Sequence, residues 1–336
     1  MKGRITMKIK IIAFLCLLVI VSGCKLTDVA GNDNNNDDDD FYNFIELDSY
    51  LTAGSAFKVT LRQDKAYVAE DNTGLEIVDV SDPNFVTGMG SYFSYDLVRD
   101  FKIDNEDFAY IAESSAGLVI ADFADDDYPE EVYSYPTTNA IGVEIYDDRL
   151  YLLDAVEGII VFDIEDPFHT IAIEYYSGNL GIMDLYDIYA DPPYLYVTYD
   201  FGVAVLYMDS YGSLEQIADY ETNYSVFEME IQNDVGYLAT WDGIETVDLS
   251  DPYSPDDYDQ LSLPNSAVSI DVYGNKAYLA TEAYGLRIVD ISSPYGLYET
   301  DYYYTDGSVK DVEVQGDNLF IADGSKGLLV LEYWVE

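Results

Sequence analysis

The chain has 336 residues, with 65 Asp and Glu against 15 Lys and Arg and a formal net charge of −50. A polyanion of that strength is repelled by nucleic acid and by anionic membrane surfaces, and it attracts cationic partners or divalent cations. Only two cysteines are present, too few for a disulfide framework. The chain opens on Lys2, Arg4, Lys8 and Lys10, followed by an almost wholly apolar run from Ile11 to Val21. That run falls short of the roughly 20 apolar residues a bilayer span needs, and it has the make-up of a secretory signal peptide.

The run ends in Val21-Ser22-Gly23-Cys24, which resembles the lipobox of bacterial lipoproteins. The resemblance implies cleavage before Cys24, a diacylglycerol on its sulfur and an acyl group such as palmitate on the new amino terminus. Several chains of lipid hold a protein to a membrane far more firmly than one. The leading Val departs from the commoner Leu. Cys16 would leave with residues 1–23, so the lipid would occupy the remaining thiol. Loss of residues 1–23 removes four basic residues and no acid, leaving 11 against 65 and a net charge of −54. Residues 24–43 read as the lipidated cysteine and a disordered tether. Gly31-Asn32-Asp33-Asn34-Asn35-Asn36-Asp37-Asp38-Asp39-Asp40 offers nothing apolar to bury, and it lacks the spaced Gly and closing Glu of an EF-hand loop.

From residue 44 to 336 one phrase recurs seven times. A strand carrying an aromatic residue is followed by a short polar turn, a glycine, an apolar run and an acid five residues after the glycine. The glycines are Gly74, Gly117, Gly158, Gly202, Gly243, Gly285 and Gly327, spaced by 43, 41, 44, 41, 42 and 42 residues. The aromatics are Tyr67, Tyr110, Tyr151, Tyr196, Tyr237, Tyr278 and Phe320. Each unit divides into four strand-like stretches; in the first they are 57–61, 66–69, 75–80 and 87–92, separated by turn formers. The third stretch is nearly continuous in apolar residues, the pattern of a strand covered on both faces. Four-stranded sheets stacked around an axis supply that environment, and a period near 42 is that of a propeller blade.

Ring closure separates this architecture from an open solenoid. Fourth strands end on a Tyr 18 residues past the Gly, at Tyr92, Tyr135, Tyr176, Tyr220 and Tyr303, whereas the seventh unit stops nine residues past Gly327. Ile45-Glu46-Leu47-Asp48-Ser49-Tyr50 looks like the missing strand, because Tyr50 precedes Gly74 by the same 24 residues that separate Tyr303 from Gly327. The expectation is an all-β, seven-bladed β-propeller of four-stranded antiparallel blades, the last completed by the N-terminal strand. The phrases GLEIVDVSDP, GIIVFDIEDP and GLRIVDISSP resemble the LVIVD-repeat proteins of bacterial and archaeal cell surfaces. The resemblance implies a β-propeller and brings no catalytic residues and no settled ligand.

In a propeller the first strand of each blade lines the channel. Here its apolar positions are Val59, Phe101, Val143, Ile188, Met229, Ile270 and Val312. The flanking positions hold Asp100, Asp187, Glu228 and Asp311 in one tier and Glu144, Glu230, Asp271 and Glu313 in the next, with Lys58 and Lys102 the only cations among them. Carboxylates crowded in two rings would raise their pKa values or recruit a cation, and an all-oxygen set favours Ca²⁺. Most of the 34 tyrosines fall at repeat positions on strands and read as core. Tyr253, Tyr284, Tyr295 and Tyr298 fall near turns and are candidate binding aromatics of the rim.

No Gly-x-Ser-x-Gly elbow, His-x-x-x-His pair or phosphate-cradling loop occurs, and the single histidine, His169, reads as a solvated loop residue. Three functions follow. A monomeric, lipid-anchored envelope propeller would act as a non-enzymatic binding or scaffold module for a protein or surface polymer, outside the cytoplasm at the outer membrane or cell surface. A carboxylate-dependent glycosidase or lyase would use channel acids on polysaccharide. A passive structural or cation-buffering surface protein would use its acidity as a shell suited to salty media.

Overall fold

The computed structural model describes residues 43–334, except for residues 72, 179 and 181–183. The signal peptide, Cys24 and nearly all of the Asn/Asp-rich tether lie outside the described residues. The described chain forms seven four-stranded antiparallel sheets. Blade 1 spans Ala56–Phe93, blade 2 Asp100–Tyr135, blade 3 Ala140–Tyr176, blade 4 Leu185–Glu221, blade 5 Val226–Ser262 and blade 6 Ser269–Tyr303. Blade 7 takes three strands from Asp311–Tyr333 and its fourth from Phe44–Tyr50. Within a blade the strands follow chain order, and the first strands of successive blades lie against one another around the ring, that of blade 7 against that of blade 1 included. The innermost strand of every blade is therefore its first. The fourth unit, whose phrase departs most from the others, forms a complete blade.

The phrase explains this geometry. Val59, Phe101, Val143, Ile188, Met229, Ile270 and Val312 are all buried, and so are the seven repeat aromatics on the second strands. Third strands such as Gly117–Asp122 and Gly158–Asp163 are buried at every position but the terminal acid, because neighbouring blades cover both faces. That acid closes the strand. Asp79, Asp122, Asp163, Asp248 and Asp290 each accept the backbone N–H two residues on, at 2.9–3.1 Å, a side-chain cap that turns the chain toward the fourth strand.

The repeat glycine opens the third strand where the fourth strand's backbone approaches. In blade 7, Gly327 sits at φ +82°, and a Cβ there would overlap the carbonyl oxygen of Tyr50. In blade 1, Gly74 sits at φ +115° and meets the carbonyl of Tyr92 in the same way. Tyr50 therefore does for blade 7 what Tyr92 does for blade 1. The closing ladder runs from Phe44 opposite Tyr333 to Tyr50 opposite Leu328, and the amide of Ala56 donates to Gly324 at 3.0 Å to join blade 1 to blade 7.

Replacing residues 44–50 by a Gly/Ser linker of equal length leaves the third strand of blade 7 as a bare edge. The expected result is concentration-dependent aggregation and loss of a single cooperative urea transition. Gly327→Ala, read by the same unfolding curve, should cost about 1–3 kcal/mol through overlap and an unfavourable φ.

Candidate functional site

The first strands bring the acids of the two expected tiers to the axis, and there their oxygens find partners inside the protein. An innermost strand is a sheet edge, so its outward amides have no ladder to join. Acids of one blade satisfy amides of the next. Asp100 accepts from Val143 at 2.8 Å, Glu228 from Ile270 at 2.9 Å, Asp271 from Val314 at 2.6 Å, and Asp311 from Val59 at 2.8 Å. Asp311 also accepts from the hydroxyl of Ser269. Each of these bonds crosses from one blade to its successor, so the carboxylates staple the innermost strands in ring order.

Lys58 closes the upper tier. Its Nζ lies 3.2 Å from Asp100 Oδ1 on the adjacent blade and 3.3 Å from Glu228 Oε1 on blade 5, across the axis. Burial would lower the pKa of this ammonium. The carboxylates of Asp100, Glu228, Asp311 and Asp187 more than offset it and hold the group well above the ordinary lysine value. In the lower tier Lys102 pairs with Glu144 at 3.1 Å. Two cations do not neutralise eight acids, and the surplus is met by protonation. Burial, reinforced by the nearby carboxylates, pushes Glu230 and Glu313 up to about 8 and Asp311 to about 7, and raises Asp187 well above the usual range. Burial likewise lifts Asp271 to about 6.

Among the described residues, no group of three or more His, Cys, Asp or Glu side chains is arranged to hold a metal ion. A Ca²⁺ ion would need several free oxygens at one point. Here Asp100, Glu228, Asp271 and Asp311 direct theirs at neighbouring amides, and Lys58 stands where the upper tier converges.

The rim aromatics divide between two faces, because successive hairpins of a blade turn at opposite ends. Tyr253, Tyr295 and Tyr298 belong to the turns between third and fourth strands, whereas Tyr284 belongs to the turn between second and third strands on the other face. All four are exposed. Tyr295 packs on Tyr258 of blade 5 with ring centroids 4.4 Å apart. His169 is exposed beside Asp166, 2.7 Å away, as a loop residue should be.

One repeated polar position escaped the reading of the sequence. Three residues after the repeat aromatic stand Glu70, Glu113, Asp154, Thr240, Thr281 and Asp323, all buried. Asp154 accepts the amides of Asn139, Val156 and Glu157 at 2.6–2.9 Å, and Glu70 accepts that of Gly54 at 2.9 Å. The fixed offset from the aromatic was the available signal. Burial pushes Glu113 up to about 7, with one oxygen left without a hydrogen bond.

An LVIVD repeat family matches residues 53–94, 102–137, 264–305 and 306–332, which lie in blades 1, 2, 6 and 7. No curated protein matches the chain. Among solved structures, the computationally designed Ika8 protein superposes with a TM-score of 0.64 at 10% identity, covering 86% of this chain and 99% of that one. The WD40 β-propeller domain of Doa1 gives 0.65 at 11%, covering 87% and 97%. Raptor of Chaetomium thermophilum gives 0.69 at 12%, covering 87% of this chain and 29% of its own. At these identities the likeness is one of fold.

The channel carries a pH dependence of definite sign. Between about pH 4, where unfolded carboxyls lose their protons, and about pH 8, the folded ring keeps protons on Glu230 and Glu313 that the unfolded chain has released. Stability therefore falls as pH rises across that window and levels off above it. At the acid end it falls again, because Asp290 is held at about 2 by Ser292 and Lys276 against the effect of its burial. Urea unfolding should show a maximum near pH 4–5, and the double variant Glu230→Gln, Glu313→Gln should flatten the decline between pH 5 and 8. Lys58→Met should cost about 3–5 kcal/mol, because it leaves buried carboxylates without their counter-ion. The loss should be larger at pH 8 than at pH 5.

Proposed function

We propose that this LVIVD-repeat propeller is a lipid-anchored cell-envelope protein, tethered outside the cytoplasm through Cys24. It works without catalysis as a binding or scaffold module for an envelope protein or surface polymer. The observation that carries the reading is the use made of the channel. Lys58 bridges blades 1, 2 and 5 across the axis, and the acids around it are bonded to backbone amides. A carboxylate pair working on a sugar needs one member free to protonate the leaving group and another free to attack or to activate water. The channel acids answer to the fold instead. What the molecule offers outward is two rims of loops on a rigid ring, the usual place for recognition.

The anchoring half of the reading is supported by Val21-Ser22-Gly23-Cys24 behind its apolar run. Fractionation of cells expressing the full chain tests it. The parent protein should remain with the membranes and carry the mass of its lipid, whereas Cys24→Ala should lose that mass and fail to mature. An unlipidated parent would remove the anchor from the proposal. The non-catalytic half is tested by incubating the detergent-solubilised full chain with a panel of envelope glycans. Retention without new reducing ends is the expected outcome, and turnover would overturn it.

A further inference from the structure

We infer that the face carrying the turns between third and fourth strands is the binding face, and that its ligand is a Lys/Arg-rich polypeptide segment gripped by a ring of aromatic and carboxylate pairs. The inference rests on the binding-module reading above and supplies it with a face and a ligand chemistry. In each of blades 1 to 6 this turn displays one large aromatic side chain: Phe85, Tyr128, Phe168, Tyr211, Tyr253 and Tyr295. Their exposure runs from 52% to 82%. Isolated exposed apolar residues need no explanation, but the same kind of residue in the same turn of six successive blades is not scatter. On the opposite face the exposed aromatics, among them Tyr95 and Trp241, fall at positions that differ from blade to blade.

Each aromatic is fixed beside a carboxylate. The amides of Phe168, Tyr211 and Tyr253 donate to the side chains of Asp166, Asp209 and Asp251 at 2.8–3.2 Å. Those of Phe85 and Tyr128 donate to the backbone carbonyls of Asp82 and Asp125 at 2.8 and 3.0 Å. Blade 6 substitutes Ser293. The turns are also held from behind by the preceding blade. Lys65 of blade 1 pairs with Asp126 of blade 2, Phe108 of blade 2 meets Phe168 of blade 3 edge-on at 5.6 Å, and Thr246 of blade 5 donates to the carbonyl of Pro294 at 2.8 Å. A ligand would meet a preformed surface and would not have to order one.

Charge decides which ligand. None of the six turns contains Lys or Arg, and the basic residues at or beside the neighbouring first turns are already paired: Arg62 with Asp107, Arg149 with Asp163 and Lys276 with Asp290. The face is left with aromatic rings among unpaired negative charge. That combination suits a cation, which gains from the ring's π face and from the carboxylate together. The molecule contains its own example. Arg287 lies 4.9 and 5.2 Å from the rings of Tyr302 and Tyr304 while its Nη1 contacts Glu299 at 2.8 Å. Six similar stations around one ring favour a ligand with several cationic groups, since linked contacts multiply.

The test uses the detergent-solubilised full chain and a fluorescent 20-residue peptide of alternating Arg and Gly, with anisotropy read from low to physiological salt. The rim variant replaces the six aromatics by Ser and keeps every acid. A control variant replaces Phe93, Tyr95, Phe201 and Trp241 of the other face by Ser. All ten residues are substantially exposed, and circular dichroism confirms that both variants fold. Binding by the parent and the control, with a loss of about tenfold or more in the rim variant at physiological salt, is the expected result. Equal binding by all three would reduce the effect to net charge and overturn the assignment of the face. No peptide binding, with rim-dependent retention on cellulose or chitin, would overturn the cationic ligand while leaving a binding module in place. No retention of any probe by any form would count against the binding module itself.

Discussion

The antiparallel ladder between residues 44–50 and 328–333 is the contact from which the rest of the molecule takes its shape. Six blades are continuous in sequence and could in principle stack as an open array with two bare ends. The seventh is made from both ends of the propeller segment, and its formation brings the first strand of blade 1 against that of blade 7. Only then is there an axis. The geometry that permits it is narrow, because the backbone of Tyr50 approaches Gly327 more closely than any side chain at that position would allow. A repeat that begins its third strand with glycine can accept a fourth strand from anywhere in the chain, provided the strand arrives in register.

Closing the ring creates a difficulty that its central acids resolve. Seven innermost strands meet with their edge amides facing inward, where no further strand can pair with them, and an unsatisfied buried amide is costly. Carboxylates at positions adjoining the buried apolar residue reach the next blade's amides, as Asp311 reaches Val59 and Asp100 reaches Val143. The same crowding would be ruinous if every acid were ionised. Lys58 and Lys102 take up part of the charge, and protonation of Glu230, Glu313 and Asp311 takes up more. A chain of formal charge −50 can thus place acids at its centre because burial decides how many of them are charged.

The blades were legible in the sequence because their cause is local and repeated. The glycine, the aromatic before it and the acid after it recur at nearly constant spacing, and the closing strand announced itself through the 24-residue interval from Tyr50 to Gly74. The channel acids were legible as positions, since alternation places Asp187 and Glu228 on the face opposite buried Ile188 and Met229. Their partners were not. Lys58 and Glu228 are 170 residues apart and meet only because the ring brings blades 1 and 5 to opposite sides of one axis. The edge amides carry no signature at all, being backbone. The separation of Tyr284 from Tyr253, Tyr295 and Tyr298 follows from counting hairpins, since alternate turns leave a blade at opposite ends, but proximity to a turn does not by itself say which end.

The phrase that joins this chain to its family is a folding device, and that bears on where specificity can reside. Its glycine admits the fourth strand, its aromatic fills the space between blades, and its acid caps the turn, as Asp79 caps Ser81 and Asp290 caps Ser292. The following Asp-Pro pair extends the same work, since Asp82 and Asp166 accept amides two residues on. None of these residues is free to vary with a ligand without loosening a blade. Positions inside the turn that touch nothing are free in that sense. When such positions hold Phe85, Tyr128, Tyr211 and Tyr253, largely exposed, burial gives no reason for an aromatic there, because a polar residue would leave the turn's hydrogen bonds intact. A feature that the fold neither needs nor hides, repeated wherever the fold repeats, is where a ligand has had room to act.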